Sequence, residues 1–129
     1  MSVETEITII PFLVVKDALS AIDFYMNAFG ATVPEKYTNE GRTMAKISVG
    51  NASFWIGDEE PEFNNFSPQT IGGSPVRIVL TTPDPDTIFD KALHSGAIQI
   101  CPVTVEESWK IGKLQDPYGH TWEIGCPLT

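Results

Sequence analysis

An α+β fold made of two βαβββ modules is what this chain predicts, and three observations carry that prediction. The order strand, capped helix, three strands occurs twice along the 129 residues. Marker residues recur at a nearly constant spacing: Asp17 and Asp84, like Trp55 and Trp122, stand 67 positions apart, while Gly30-Ala31 precedes Gly96-Ala97 by 66. Self-similarity at a fixed period is how a repeated supersecondary unit announces itself. A turn-rich stretch then separates the two copies. The boundaries are module 1 over about 5–57, a connector over 58–74 and module 2 over about 75–126, all within one domain spanning 1–129.

Each element has its own warrant. Ile7 to Val15 is almost continuously apolar and β-branched, the pattern of a strand buried on both faces. Asp17 is placed to cap a helix over Ala18–Phe29, with Leu19, Ile22, Met26 and Phe29 as its apolar stripe, Ser20, Asp23 and Asn27 as its polar one, and Gly30 as its stop. Strands follow at 35–38, 42–49 and 52–56, the last two joined through a hairpin turn at Gly50-Asn51. In the second copy Val76–Thr81 is the opening strand. Asp84 caps the next helix, Pro85 presets its first turn, Ile88, Phe89, Ala92 and Leu93 form its apolar face, and Gly96 ends it. Strands are expected at 97–103, 109–115 and 121–124. In the connector, Phe63 and Phe66 either pack it onto the sheet or cover a ligand as a lid.

Composition narrows the function classes. Seventeen acidic against eight basic residues leave a net charge of −9, which repels nucleic acid and anionic membranes and favours cationic or neutral partners. No window approaches a membrane span, and the first residues carry no basic region or long apolar run, so a cytoplasmic location is expected. Cys101 and Cys126 fit no metal spacing and read as reduced structural thiols. No Ser-His-Asp, Cys-His or phosphate-loop pattern occurs. His94 and His120 read as surface or capping residues.

The densest stretch is Asp116-Pro117-Tyr118-Gly119-His120-Thr121-Trp122-Glu123-Ile124, a type I turn feeding an alternating strand that sets Glu123 opposite Trp122. It resembles the last hairpin of the vicinal-oxygen-chelate superfamily, the glyoxalase, bleomycin-resistance and extradiol-dioxygenase group, and most of all its PhnB-like branch. The opening agrees: Ile10-Pro11-Phe12-Leu13-Val14-Val15-Lys16-Asp17, then Ala21-Ile22-Asp23-Phe24-Tyr25 and Phe29-Gly30-Ala31, is similar to that branch's first strand and helix. Trp109 and Gly112 resemble the Trp and Gly that precede its final hairpin.

The resemblance implies a curved mixed sheet around a concave cleft, a small-molecule ligand, a homodimer, and Glu123 at a position where relatives commonly hold a metal. Counting by 67 sets Ile56 as the counterpart of Glu123, and the two remaining ligand positions fall on Ile10 and Arg77. Isoleucine offers no lone pair and arginine only a repelling charge, so no metal and no cofactor is expected. Strand parity then gives an inner set of Ile10, Phe12, Phe54, Ile56, Arg77, Val79, Thr121 and Glu123, with Trp55 and Trp122 on the helix-packed side. The expected ligand-binding residues are Phe12, Phe54 and Trp109 as apolar surfaces, with Arg77 and Glu123 as polar anchors meeting as an ion pair across the halves.

The functional expectation is a metal-independent small-molecule binding protein of the glyoxalase/bleomycin-resistance type, with drug sequestration as the activity it suggests and a cationic or aromatic ligand. The alternative is a glyoxalase-like lyase or isomerase with Glu123 as general base or lone surviving metal ligand, although a neighbouring arginine works against proton abstraction. A third reading has Arg77 and Glu123 tying the fold together with no ligand at all.

Overall fold

The computed structural model describes residues 5–128 and contains both modules. Module 1 consists of β1 (Phe12–Val15), α1 (Ala18–Phe29), β2 (Thr32–Asn39), β3 (Arg42–Val49) and β4 (Ala52–Asp58). A short helix, α2 (Pro68–Ile71), lies in the connector. Module 2 consists of β5 (Arg77–Thr81), α3 (Pro85–His94), β6 (Ile98–Glu106), β7 (Trp109–Gln115) and β8 (Thr121–Pro127). The mixed sheet is two four-stranded halves of identical topology, ordered β1-β4-β3-β2 and β5-β8-β7-β6, with the first strand of each parallel to the last.

The caps work as the sequence predicts. The Asp17 side chain accepts from the Ser20 amide and the Asp84 side chain from the Thr87 amide, while Gly30, at φ 68°, closes α1 in the left-handed region. Asp58 adds a second cap, its Oδ1 accepting from the Ala18 amide at 2.8 Å and its Oδ2 from the Thr43 amide at 2.7 Å. The buried face of α1 is Ala18, Ala21, Ile22, Phe24, Tyr25, Ala28 and Phe29, so the expected stripe is rotated: Leu19 and Met26 lie in solvent. Three alanines let the helix approach the sheet closely, and the aromatic rings fill the space beside them.

Those rings join the two modules. Trp122 of β8 sits 4.8 Å from Phe29, 5.8 Å from Tyr25 and 5.5 Å from Phe54, ring centroid to centroid. Helices α1 and α3 also pack on each other, so the two helix-covered faces share one apolar core and the opposite face of each sheet is left open.

Two expectations about strands need correction. The first strand is not Ile7–Val15 but Phe12–Val15, the residues that hold register with β4; Ile7 and Ile9 are fully exposed. Cys101 is exposed on β6 and is not a structural core thiol. The connector is pinned rather than free. The Glu59 carboxylate accepts from the Ser67 amide and the Thr70 hydroxyl, Arg42 bonds Glu62 through both terminal nitrogens, and Gln69 donates to the Pro117 carbonyl. Phe63 stays exposed and covers nothing. No helix among the described residues is long and apolar enough to cross a membrane.

Candidate functional site

Backbone register decides which side chains reach each open face. In β4, Phe54 and Ile56 pair with the buried Ile47 and Ala45, and both are themselves buried on the helix side. Phe54 packs edge-on against Tyr25, 5.2 Å between centroids. Neither Phe54 nor Ile56 belongs to the inner set, and Trp55 replaces them there. The cause is one extra residue in the second hairpin. Between the paired Ser48 and Ser53 lie four residues, and between the paired Gln115 and Thr121 lie five. Past the hairpin the repeat offset therefore becomes 68: Phe54-Trp55-Ile56-Gly57 corresponds to Trp122-Glu123-Ile124-Gly125, and Trp55 is the counterpart of Glu123. A one-residue slip exchanges the two faces of a strand.

The open face of module 1 is aromatic. Trp55 stacks on Tyr37 at 6.3 Å and 25°, and the Lys46 ammonium lies 5.9 Å from the Trp55 ring. Glu35 holds this group together: its Oε1 accepts from the Tyr37 hydroxyl at 2.7 Å, and its Oε2 is 3.8 Å from Lys46 Nζ. That hydrogen bond to Glu35 raises the Tyr37 pKa above its usual value. Phe12, paired with Trp55, lies half-exposed with its ring against Gly57, where a Cβ would stand 2.8 Å from the ring tip.

The open face of module 2 is charged. Arg77 and Val79 of β5 stand beside Thr121 and Glu123 of β8, and Arg77 Nη1 lies 3.2 Å from Glu123 Oε1. The pair therefore forms within the second sheet and not across the halves. It is also wet on one side, since the arginine side chain is 63% exposed and the glutamate 18%. Trp109 opens β7 on the same face and, with Val79, Glu106, Glu107, Ile111 and Glu123, lines a recess of about 420 Å³.

The donor set does not suit a metal. The four positions in question hold Ile10, Trp55, Arg77 and Glu123, of which only the glutamate can donate a lone pair, and its carboxylate already faces a guanidinium. Among the described residues no three His, Cys, Asp or Glu side chains gather as a cation would need.

Behind Glu123 lies a buried carboxylate that sequence reasoning passed over as a turn residue. Asp116 is buried, and its Oδ1 accepts from the Tyr118 and His120 amides at 2.9 and 3.0 Å. Its Oδ2 accepts from the Tyr25 hydroxyl at 2.5 Å and from Trp122 Nε1 at 2.9 Å. Burial, with the Asp116 charge next, pushes the Tyr25 pKa well above the usual tyrosine value. The Asp116 contacts hold Trp122 inward, which by alternation turns Glu123 outward. His120 is likewise more than a surface residue, its Nε2 donating to the Val14 carbonyl of β1 at 2.8 Å. The available signal was an aspartate six residues before an inward tryptophan whose indole N–H needs a partner.

Comparison with known proteins agrees with this architecture. The family described as Glyoxalase/Bleomycin resistance protein/Dioxygenase superfamily matches residues 8–124. Mb0911c of Mycobacterium bovis, of uncharacterized function, is 33% identical across 99% of this chain and 88% of its own length. The crystal structure of the At5g48480 gene product of Arabidopsis thaliana is similar with a TM-score of 0.70 at 27% identity, covering 95% of this chain and 98% of that one. A glyoxalase family protein from Bacillus cereus superposes with a TM-score of 0.76 over 100% and 99% of the two chains; at 15% identity that likeness speaks for the fold alone.

Proposed function

The chain belongs to the glyoxalase/bleomycin resistance protein/dioxygenase superfamily, and within it we propose a small-molecule binding protein that works without a metal, in the PhnB-like branch. The observation that carries this reading is the Arg77–Glu123 contact of 3.2 Å: the one donor among the four family ligand positions is engaged by a cation belonging to the protein itself. What surrounds the pair suits recognition rather than bond-making. Trp109, Val79 and Ile111 give an apolar floor, Glu106, Glu107 and Glu123 give negative charge, and Arg77 gives a fork of donors for an acceptor group.

The ligand class is a cationic aromatic molecule, stacked on Trp109 and held by the carboxylates, in a chain whose net charge of −9 favours it at long range. A drug of the bleomycin type fits that description, and sequestration would then be the activity. A homodimer completes the cleft. The aromatic face of module 1, with Phe12, Trp55 and Tyr37, and the charged face of module 2 complement one another when two copies meet about a two-fold axis.

Calorimetric titration with bleomycin and with simpler cationic aromatic probes tests the proposal. Binding that weakens at least about tenfold in Trp109→Ala and in Glu123→Gln supports it. Turnover of a dicarbonyl thiohemiacetal, lost in Glu123→Gln, would replace it with the lyase or isomerase reading.

A further inference from the structure

Both modules carry a lysine at the same place on their open faces, and the neighbours of the two lysines differ. In module 1, Lys46 of β3 stands between Trp55 of β4 and Glu35 of β2. Its ammonium is 3.8 Å from the Glu35 carboxylate and lies over the Trp55 ring, so its charge is answered within the protein. In module 2 the same register sets Lys113 of β7 between Glu123 of β8 and Cys101 of β6. A thiol thus stands where module 1 has a carboxylate. Among the described residues the Lys113 ammonium forms no ion pair.

Lys113 faces the cleft. Lys110 reaches Asp86 on the helix side and Leu114 is buried in the core, so by alternation Trp109, Ile111 and Lys113 share the opposite face of β7. Glu123 is therefore bracketed by two cations. Arg77 comes from β5, with Nη1 3.2 Å from Glu123 Oε1, and Lys113 stands directly across on β7. One carboxylate balances one of them, which leaves this end of the face with an excess positive charge. The other end, where Glu106 and Glu107 stand beside Trp109, is negative. From Trp109 to Lys113 along β7 the two ends are about 14 Å apart at about 3.4 Å per residue.

We propose that the cleft takes a zwitterion: an aromatic cation that also carries an oxyanion, a carboxylate or a phosphate, received between Arg77 and Lys113. This rests on the small-molecule reading of the cleft and deepens it by naming the second charge of the ligand. The aromatic ring stacks on Trp109, the cationic group meets the carboxylates, and the oxyanion meets the two protein cations that flank Glu123. Arg77, with its side chain 63% exposed, carries more N–H donors than one carboxylate occupies, and Lys113 adds a point charge on a flexible stem.

Calorimetric titration with L-tryptophan and with tryptamine, which shares its ring and ammonium and lacks only the carboxylate, tests the oxyanion subsite. The parent is compared with Lys113→Gln, which removes the charge, and with Cys101→Glu, which gives Lys113 the partner that Glu35 gives Lys46. The readout is the ratio of the two dissociation constants within one protein, and that ratio does not depend on how much of a variant is folded. Tryptophan should bind the parent at least about tenfold more tightly than tryptamine, and the ratio should fall close to unity in each variant. Tryptamine bound by the parent as tightly as tryptophan, or a ratio that either variant leaves unchanged, overturns the subsite while the cationic aromatic reading stands. A parent that binds neither probe overturns both.

Discussion

The two modules share a topology and differ at one hairpin, and that difference accounts for most of what separates their open faces. The β3–β4 turn is short and polar, with Gly50 and Asn51 exposed or nearly so. The β7–β8 turn is one residue longer and folds around the buried Asp116. It locks Trp122 into the shared core, and the next residue outward is Glu123. In module 1 the residue at the equivalent core position is Phe54, which needs no hydrogen-bond partner, and the next residue outward is Trp55. One face is thus aromatic and the other charged, while the inward residues of both strands pack into one shared core. A repeated fold can diverge on its functional side without disturbing its packed side, because alternation along a strand keeps the two independent.

Substitutions at the paired positions sharpen this contrast. Trp122→Ala removes a core ring contacting three other aromatics and should cost about 3–5 kcal/mol, as measured by urea unfolding. Trp55→Ala, on the open face, should cost about 1 kcal/mol and act on ligand affinity instead. Equal losses at the two sites would mean that their faces are not opposite.

Asp116→Ala should be the next largest, about 3 kcal/mol, because the Tyr25 hydroxyl and the Trp122 indole N–H are left buried without an acceptor. Asn51→Ala at the corresponding hairpin of module 1 should stay within about 0.5 kcal/mol. A similar loss in both would remove the hairpin from its role in separating the modules.

The same network sets an alkaline limit. The Tyr25 pKa is raised in the folded state, so the proton it retains there is one the unfolded chain sheds above the ordinary tyrosine value of 10.0. Its contribution is present in full below that value and declines as pH rises through the range between the unfolded and folded pKa. Its share of the slope should approach about 1.4 kcal/mol per pH unit. Tyr25→Phe should flatten unfolding free energy against pH above 10.0 by that share, and an unchanged slope would mean that Tyr25 is not the retained proton.

At the small end stands the Arg77–Glu123 pair. With the arginine 63% exposed, a double-mutant cycle on Arg77→Met and Glu123→Gln should give a coupling of about 0.5 kcal/mol, falling with added salt. A coupling several times larger would mean that the pair is shielded from water, contrary to its exposure here.

Local chemistry made much of this fold legible in the sequence. Asp17 and Asp84 announce their helices, Gly30 stops one, and the Asp-Pro-x-Gly turn announces β8, because each effect lies within a few residues of its cause. The faces of β4 were harder to read. Trp55 and Trp122 look equivalent at an offset of 67, yet Ile56-Gly57 and Ile124-Gly125 keep the true offset of 68, and the glycines rather than the tryptophans mark the register. An offset of 67 sets Phe54 on the ligand side, whereas its ring lies in the core. Asp116 was legible as a turn residue but not as a hub, since Tyr25 is 91 residues away in the chain. The exposure of Ile7 and Ile9 could not be read from an apolar run alone, because such a run says that burial is favourable and not which chain supplies it.

In the proposed function, Glu123 is a ligand anchor rather than a metal ligand. Calorimetric titration of the chelator-treated protein with Zn²⁺, Ni²⁺, Mn²⁺ and Fe²⁺ tests it most directly. The expected result is no stoichiometric binding of any of the four. One equivalent bound by the parent and lost in Glu123→Gln would contradict it.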